Sequence, residues 1–496
     1  MNILLATSEA VPFAKTGGLA DVCGALPIEL ARLGHQPAVI LPAYRQTRYC
    51  GQRIEPLGID FIVPIGSKMV TGHLLKSTMP GGQVPVYLVE QDQYYDRDEL
   101  YGTGGKEYKD YIDNCERFIF FSRAVLEAIR LLELQVDVLH VNDWQTGLIP
   151  AYLKIEYHSV PRYEKIASLL TIHNMSYQGQ FWHWDMLLTG LDWKYFNWRQ
   201  MEFHGHLNLL KTGMTFADSI NTVSPRYAQE IQSPPLGCGL EGVLQYRRDA
   251  LSGILNGIDP HEWNPAGDPH LPAKYTADTA ARGKPICKAA LQKELGLPQE
   301  PAAPLVGIVG RLIDQKGFDL TADVMQRWVQ TSDVQWVILG TGEAKYHKLL
   351  ETLAARFPQK VALRLEFSNP LAHRIEAGAD IFLMPSLFEP CGLNQLYSLK
   401  YGTVPLVRAT GGLADTITGF DPRSSNPAAN GFVFQEYSSL ALSECLRQAC
   451  DAYRRPDVWK QLVAVGMGQD WSWARSAKEY IELYRKTIER RNAIAN

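Results

Sequence analysis

The chain has 496 residues, of which 46% are hydrophobic and 21% charged, and its formal net charge is −4 at pH 7. This length allows two or three domains with separate cores, and the composition is that of a globular protein. Because the charges are nearly balanced and form no basic block, nucleic acid and anionic membrane are poor candidates for a partner.

The eight cysteines include no Cys-x-x-Cys pair and lie mostly in apolar segments. Free thiols in a reducing compartment fit this pattern better than disulfides or a zinc site. The first ten residues show no basic region of a signal peptide, and no stretch approaches the roughly 18 apolar residues of a membrane span. We therefore expect an enzyme of the cell interior, with no membrane partner.

The N-terminal 41 residues follow the strand, loop, helix and strand order that opens a doubly wound domain. Residues 3–6 form a short apolar run, and apolar residues at helical spacing extend over 19–33. Between them lie Lys15, Gly17 and Gly18. Lysine beside glycine is common in ordinary loops, but loops that follow parallel strands bind ligands. A charge with two glycines at this position therefore indicates a phosphate site.

Two later strands of the same half end in polar residues. Asp143 and Trp144 follow one apolar run, and His173 and Asn174 follow the next. Either pair alone would be explained as a cap of the following segment. Because the carboxyl ends of parallel strands meet at one edge of the sheet, we expect the two pairs to converge on one crevice.

Residues 177–206 contain nine Trp, Tyr and Phe residues. Aromatic faces stack on sugar rings and line binding clefts, but they are equally common in protein cores. The sequence supports the two interpretations about equally. His204 and His206 lack the further ligands of a metal site, so we interpret them as structural.

A second doubly wound unit begins at the apolar run 306–309. The loop after this strand carries Arg311 and Lys316, and two cations at a strand-to-helix loop suit a diphosphate. Gly340 and Gly342 resemble part of a dinucleotide-binding fingerprint, but its third glycine is missing. We therefore do not predict a nicotinamide cofactor.

Residues 379–417 read as strand, loop, helix, strand, glycine loop and helix. The first loop contains Glu389, and the second contains the small residues 410–412. Both loops lead into helix N-termini, whose free N–H groups and positive dipole suit phosphate. An isolated glutamate here would be interpreted as a capping residue. The second glycine loop so close by favours a nucleotide-sugar site instead.

Seven short motifs occur in order along almost the whole chain. They are 15–22 (KTGGLADV), 142–144 (NDW), 172–174 (IHN), 255–257 (LNG), 311–317 (RLIDQKG), 389–393 (EPCGL) and 410–413 (TGGL). Together they resemble the motifs of the glycogen and starch synthases, retaining glucosyltransferases of glycosyltransferase family 5. The resemblance implies the α/β GT-B fold, with Rossmann-like domains at 1–254 and 255–474 facing a central cleft and a helix at 475–496 returning to the first domain.

The resemblance further implies ADP-glucose as donor and the non-reducing end of an α-1,4-glucan (maltooligosaccharide, glycogen or starch) as acceptor. The implied catalytic residues are Lys15, His173, Arg311, Lys316 and Glu389. The implied donor contacts are Lys15, Gly17, Gly18, Asp21, Asn256, Arg311, Lys316, Glu389, Cys391, Gly392, Leu393, Thr410, Gly411 and Gly412. The implied sugar and acceptor contacts are Asp143, Trp144, His173 and Asn174.

No second carboxylate accompanies Glu389 in its motif, so a double displacement of the glycosidase type is not expected. We expect substitution on one face of the glucose, with the charge that develops on ADP offset by cations and helix dipoles. This arrangement needs no metal and no cofactor. Asp96-Arg97-Asp98 resembles the metal-binding motif of other glycosyltransferases, but it lies in a loop-like run, and we interpret it as solvated or structural.

Asn394 departs from the family pattern, since many bacterial members have Thr here and some plant starch synthases share Asn. Glycogen, starch and amylose therefore all remain open as the product, including a granule-bound enzyme that makes amylose. The resemblance implies the cytoplasm, or the plastid stroma in a eukaryote. A GT-B transferase using UDP-glucose, a pyridoxal phosphate-dependent phosphorylase and a non-catalytic glucan-binding protein are the alternatives. The oligomeric state is not predicted.

Overall fold

Two compact units make up the part of the chain that this computed structural model describes, which is residues 1–104, 109–424 and 426–495. Unit 1 comprises Met1–Val223, Ala228–Ile254 and Trp473–Asn496, and unit 2 comprises Ser224–Tyr227 and Leu255–Ser472. The sequence placed the chain crossings at 254–255 and 474–475. In the structure these two crossings fall at 254–255 and 472–473, because the final helix begins at Trp473 and belongs to unit 1. The chain also enters unit 2 briefly at Ser224–Tyr227.

Unit 1 contains a large mainly parallel sheet and two small antiparallel ones. Its strands are β1 (Asn2–Ala6), β2 (Gln36–Pro42), β3 (Glu55–Ile65), β4 (Lys68–Thr78), β5 (Pro85–Glu90), β6 (Gly102–Thr103), β7 (Lys109–Asp110), β8 (Val138–Asn142), β9 (Ala167–Ile172), β10 (Gln180–Phe181), β11 (Glu202–Phe203), β12 (His206–Asn208), β13 (Ser219–Thr222) and β14 (Leu251–Gly253). The nine-stranded sheet has the order β14-β13-β9-β8-β1-β2-β5-β4-β3.

Helices connect these strands. They are α1 (Gly18–Arg32), α2 (Asp92–Tyr95), α3 (Asn114–Leu131), α4 (Leu148–Ile155), α5 (Met186–Thr189), α6 (Leu209–Phe216), α7 (Pro225–Glu230) and α8 (Glu241–Tyr246). β1, β8 and β9 are almost fully buried apolar runs, as expected of parallel strands covered on both faces. β3 and β4 pair antiparallel, and buried residues alternate with exposed ones along β3. β4 also pairs antiparallel with β5, so this edge of the sheet is antiparallel.

Unit 2 contains a six-stranded sheet in which every strand pair is parallel. Its strands are β15 (Leu305–Val309), β16 (Gln335–Leu339), β17 (Val361–Arg364), β18 (Ile381–Met384), β19 (Val404–Arg408) and β20 (Phe432–Phe434). Its helices are α9 (Ala280–Leu295), α10 (Phe318–Thr331), α11 (Ala344–Arg356), α12 (Asn369–Gly378), α13 (Asn394–Tyr401), α14 (Gly411–Thr416), α15 (Ser439–Tyr453) and α16 (Pro456–Gly468). The strand order β17-β16-β15-β18-β19-β20 is that of a Rossmann-type doubly wound domain.

In each unit, the strand order reverses at the first strand. In unit 1, β1 lies between β2 and β8, so the loops after β1 and β8 open on opposite sides of this reversal. In unit 2, β15 lies between β16 and β18. Open α/β sheets bind ligands at such a point, beyond the carboxyl ends of the strands. The topology therefore places the motif loops of both units at the expected binding edge.

The final helix, α17 (Trp473–Ala495), packs on the sheet of unit 1. Tyr480 and Tyr484 are fully buried on it. The Tyr484 hydroxyl lies 3.0 Å from Nδ1 of His140, and Asn221 donates to the Tyr480 hydroxyl at 3.2 Å. Burial lowers the pKa of His140 to about 3, so the imidazole that contacts Tyr484 is neutral near pH 7.

All eight cysteines are free thiols, as predicted. Six of them are buried. Within the described ranges, no helix has the length and apolar character needed to cross a membrane.

Candidate active site

The loop after β1 holds Lys15 against the first turn of α1. The Lys15 ammonium donates to the Asp21 carboxylate at 2.6 Å, and about half of the lysine side chain is exposed. Gly17 and Gly18 are also exposed, and a Cβ atom added to either would meet nothing within 4 Å. The packing of unit 1 therefore does not require glycine at these positions, and the space beside the loop is open to a ligand.

Glu9 holds this loop in place through hydrogen bonds, and the sequence analysis missed it. Its buried carboxylate accepts hydrogen bonds from the N–H and the hydroxyl of Thr16, at 2.5 and 2.7 Å, and from the N–H of Gly17 at 3.2 Å. The hydroxyl of Tyr101 donates to the same carboxylate at 2.7 Å. Hydrogen bonds to a charged group are about twice as strong as neutral ones. A single acid six residues before the motif forms no pattern, and the only signal that could have found it is its place in the ligand-facing loop.

The polar ends of β8 and β9 converge, as the sequence predicted. The N–H of His173 donates to the Asp143 carboxylate at 2.7 Å, and the His173 Nε2 lies 3.0 Å from the Asn142 side-chain oxygen. Burial, with a smaller contribution from the charge of Glu9, raises the pKa of Asp143 to about 7, against the opposing effect of backbone N–H donors. Burial lowers the pKa of His173 to about 3, so its imidazole is neutral near pH 7.

This carboxyl predicts a pH dependence of stability. Folded Asp143 keeps its proton up to about pH 7, whereas its ordinary pKa is 3.8. The folded state therefore binds more protons between these values, and the free energy of unfolding falls as pH rises through them. Asp143→Asn keeps an acceptor for His173 but does not titrate. Between pH 5 and 8 the wild type should lose about 3 kcal/mol more than the variant, since about two pKa units lie between pH 5 and the folded pKa and each is worth ~1.4 kcal/mol.

Urea unfolding of both proteins across this pH range measures the difference. Glu133→Gln is the control, because this carboxylate is exposed in the same unit. Parallel pH profiles for wild type and Asp143→Asn would show that the carboxyl is ionised in the folded protein.

Trp144, which was predicted to contact the acceptor, is largely buried. Its side chain is only 9% exposed. The ring packs edge-on against Phe118, with centroids 4.9 Å apart, and lies tilted against Phe181, with centroids 5.6 Å apart. A Cβ atom on Gly179 would lie 2.5 Å from the ring. The indole therefore belongs to the core and fixes the backbone beside Asp143. Asn174 is partly exposed and accepts a bond from a backbone N–H two residues on.

In unit 2, the loops after β15 and β18 meet through an ion pair. The Lys316 ammonium donates to Oε2 of Glu389 at 2.6 Å, and the Ser386 hydroxyl donates to the same oxygen at 3.1 Å. The Glu389 side chain is 8% exposed. Arg311 is exposed, and its guanidinium has no partner in the part of the chain that the structure describes. The site thus combines one oriented lysine, one arginine with unused donors and one nearly buried carboxylate.

The glycine loop after β19 is packed backbone to backbone against the Glu389 loop. Gly411 has a φ of +44°, and a Cβ atom there would lie 2.0 Å from the carbonyl oxygen of Glu389. A Cβ atom on Gly412 would lie 2.0 Å from that of Cys391. Thr410 is the N-cap residue of α14. The sequence analysis placed both glycines against the donor, but their close contact is with the loop that carries Glu389.

Gly340 and Gly342, which resemble a dinucleotide fingerprint, have a structural explanation. A Cβ atom on Gly340 would lie 1.8 Å from the carbonyl oxygen of Gly310, and one on Gly342 would lie 2.3 Å from that of Leu312. The two glycines let the loop after β16 pack directly on the loop that carries Arg311.

The remaining predicted residues lie around α13. Burial raises the pKa of the Cys391 thiol to about 12, so it is protonated and unsuited to act as a nucleophile. Asn256 is 6% exposed, and its backbone N–H bonds to this sulfur. Gly392 and Leu393 lead into α13. Asn394 donates to the backbone carbonyl that ends β15, at 2.8 Å, so the residue that departs from the family pattern ties α13 to the Arg311 loop.

Asp96 and Asp98 are partners of arginine. Asp96 accepts from Arg45 at 2.7 Å and from Arg48 at 3.5 Å, and Asp98 accepts from Arg45. Across the described ranges, no three His, Cys, Asp or Glu side chains gather as a metal site. Of the two interpretations made from sequence, the ion pairs favour the structural one.

Two family models match the chain, one for each unit. Residues 2–246 match the starch synthase catalytic domain, and residues 291–461 match the glycosyl transferases group 1. The chain is 47% identical over 502 residues to a glycogen synthase of Rhodopirellula baltica, covering 98% of both chains. It is 47% identical to one of Syntrophotalea carbinolica, covering 99% of this chain and all of the other.

The fold is shared with a plant enzyme. The catalytic domain of starch synthase IV from Arabidopsis thaliana, bound to ADP and acarbose, superposes with a TM-score of 0.88 at 32% identity, covering 98% of this chain and 99% of that one. Both units are Rossmann-like, and the fold is GT-B. With relatives of this identity over its whole length, the chain is an enzyme of the glycogen synthase family of glycosyltransferases.

Proposed function

We propose that the enzyme transfers glucose from ADP-glucose to the non-reducing end of an α-1,4-glucan, with retention of configuration. The observation that carries this proposal is the unit 2 arrangement of Arg311, Lys316 and Glu389 at the strand-order reversal. The family supports glucosyl transfer to a glucan, and the similar plant domain is bound to ADP. Lys15 and its open glycine loop add a second cationic group in unit 1.

The proposed reaction breaks the bond between glucose C1 and the diphosphate and forms a bond from C1 to the acceptor 4-oxygen on the same face. The 4-hydroxyl proton passes to the departing phosphate oxygen. Arg311, Lys15 and Lys316 offset the charge that develops on ADP. His173 is neutral, so it would bind sugar hydroxyls by hydrogen bonds and would not serve as a proton donor.

Two features bear on how the cations act. Each lysine is already held at 2.6 Å by a carboxylate, Lys15 by Asp21 and Lys316 by Glu389. A charge-assisted contact of this kind orients the ammonium before the ligand arrives. Arg311 has no such partner in the described residues and offers its planar donors to two phosphate oxygens at once.

Activity should be retained in excess EDTA, because side-chain cations and helix N-termini supply the positive charge that a metal supplies elsewhere. The measurement is the initial rate with ADP-glucose and maltotriose after chelation and desalting. A strict requirement for Mg²⁺ or Mn²⁺ would contradict the proposal and make Asp96 and Asp98 candidate ligands again.

The proposed function is tested by incubation with maltotriose and either ADP-glucose or UDP-glucose, followed by sizing of the products. Elongation by single glucose units from ADP-glucose is expected. A preference for UDP-glucose would instead favour the alternative transferase. The identity of the product, which the residue at Asn394 leaves open, is tested by sizing the products made on glycogen. This measurement distinguishes short branches from long amylose chains. The cytoplasm remains the proposed compartment, in keeping with the free thiols.

A further inference from the structure

The aromatic segment 177–206 divides into buried and exposed members. Every tryptophan that is largely exposed in the described residues lies in this one short stretch of unit 1. These are Trp182 (61% exposed), Trp184 (48%), Trp193 (42%) and Trp198 (71%). Exposed tryptophans scattered singly need no explanation, but a contiguous exposed apolar patch marks a binding surface.

Three of these indoles form one continuous row with Phe196. The ring centroids of Trp182 and Trp184 are 6.4 Å apart, those of Trp184 and Trp193 are 5.5 Å apart, and those of Trp193 and Phe196 are 5.0 Å apart. We call the four rings the aromatic platform. Trp198 is outside the row, and the Arg199 guanidinium covers its ring at 5.0 Å.

The platform rests on fixed residues. Three residues that lie in the sequence between Trp184 and Trp193 are buried: Met186 and Thr189 are fully buried, and Leu191 is 7% exposed. The Thr189 carbonyl accepts hydrogen bonds from Arg123 at 2.6 Å and from the Tyr152 hydroxyl at 2.9 Å. The backbone between the rings is therefore fixed before any ligand binds, which lowers the entropic cost of binding.

The charge around the platform is balanced. Residues 177–206 contain three carboxylates and two cations. Asp192 accepts a hydrogen bond from the Lys194 N–H and lies 3.7 Å from its ammonium, and Glu202 accepts from the N–H of Gly205. A surface of aromatic faces without net positive charge matches a neutral ligand and does not match nucleic acid or an anionic membrane.

We propose that the aromatic platform is a second binding surface for α-glucan, which holds a polymeric acceptor away from its reacting end. The identification of the ligand rests on the proposed function. Sugar rings present apolar C–H faces that stack on indole, and indole N–H groups donate to hydroxyls. The platform also continues from the acceptor-side segment of the chain, since Trp182 lies nine positions after His173 and Phe181 packs on Trp144. That spacing limits the span to about 30 Å.

The variant that tests the proposal is Trp182→Ala/Trp193→Ala, with glycogen and maltotriose as separate acceptors. Truncating two aromatic anchors should weaken apparent glycogen affinity in native affinity electrophoresis by about fivefold or more. kcat and KM with maltotriose should stay at wild-type values, because a trisaccharide is too short to need a second surface. The single variants Trp182→Ala and Trp182→Phe are compared as well. Trp182→Phe should bind glycogen more tightly than Trp182→Ala, because phenylalanine keeps an aromatic face. Tyr246→Ala is the matched control, since Tyr246 is 87% exposed in the same unit but outside the platform.

Unchanged glycogen affinity in the double variant would overturn the proposal. An equal loss with maltotriose would overturn it as well, since the rings would then belong to the catalytic subsites. Loss of a wild-type dimer in size-exclusion chromatography, without a change in glycogen affinity, would assign the surface to a second copy of the chain. Wild type that elongates neither acceptor would instead refute the proposed function. Thermal melting of each variant separates these outcomes from misfolding.

Discussion

Glu389→Gln is expected to lower kcat at least ~10²-fold, the loss typical when one preorganised electrostatic partner of a transition state is removed. The carboxylate is 8% exposed, and one of its oxygens is shared by Lys316 and Ser386. No donor in the described residues bonds to its other oxygen. Glutamine has the same shape and keeps an acceptor for both donors, so the change removes charge more than structure. Binding of ADP should change little, because Arg311 and Lys15 remain.

The measurements are steady-state kinetics with ADP-glucose and calorimetric titration with ADP. Ser386→Ala is the matched control, because it removes the second hydrogen bond to the same oxygen and leaves the charge in place. It should cost less than about tenfold in kcat, as expected for a single hydrogen bond worth ~1 kcal/mol. Near-normal turnover of Glu389→Gln would remove Glu389 from the catalytic residues.

The sequence predicted the elements that carry this site because their signals are local. Residues 381–384 were read as a strand from an apolar run that ends at a proline, and the structure has Ile381–Met384 as β18. The final helix, expected over 475–496, begins two residues earlier, at Trp473. Placing Arg311, Lys316 and Glu389 at one edge needed only the rule that loops after parallel strands face the same way. The ion pair of Lys316 and Glu389 then follows from the pairing of β15 with β18.

What the sequence did not reveal depends on contacts between distant residues. Glu9 holds the Lys15 loop through backbone N–H groups, and a single acidic letter gives no sign of them. Nor does the sequence separate the buried Trp144 from the exposed Trp182, since neither residue lies in a pattern that indicates its burial. Burial is decided by which other elements cover a side chain, and that is a property of the tertiary fold.

The sequence also did not separate the motif glycines that face open space from those packed against another loop. Gly17, Gly18, Gly411 and Gly412 all matched the family motifs and were all predicted to contact the donor. In the structure, the first pair has empty space where a side chain would be, and the second pair has the backbone of another loop. The two pairs therefore serve different purposes, and alanine substitutions distinguish them.

Gly411→Ala should destabilise unit 2 by about 3 kcal/mol or more, combining backbone strain at positive φ with overpacking of ~1–3 kcal/mol. Its Cβ atom would lie 2.0 Å from the Glu389 carbonyl oxygen, and relief requires one loop to move. Because Glu389 moves with its loop, kcat should fall by about 10²-fold, the effect of a displacement near 1 Å. Gly17→Ala has an extended φ of −153° and open space, so its melting temperature should equal that of the wild type.

The informative readout for Gly17→Ala is the KM for ADP-glucose. If the diphosphate approaches the Lys15 loop, a methyl group occupies that space, and KM should rise about tenfold, the effect of overpacking by ~1.4 kcal/mol. Differential scanning calorimetry and donor saturation curves, run on both variants, make the comparison. A wild-type melting temperature for Gly411→Ala would mean that the two loops are not in close contact in solution. An unchanged KM for Gly17→Ala would mean that the donor does not reach this face of the loop, and Lys15 would then have to act from a distance or not at all.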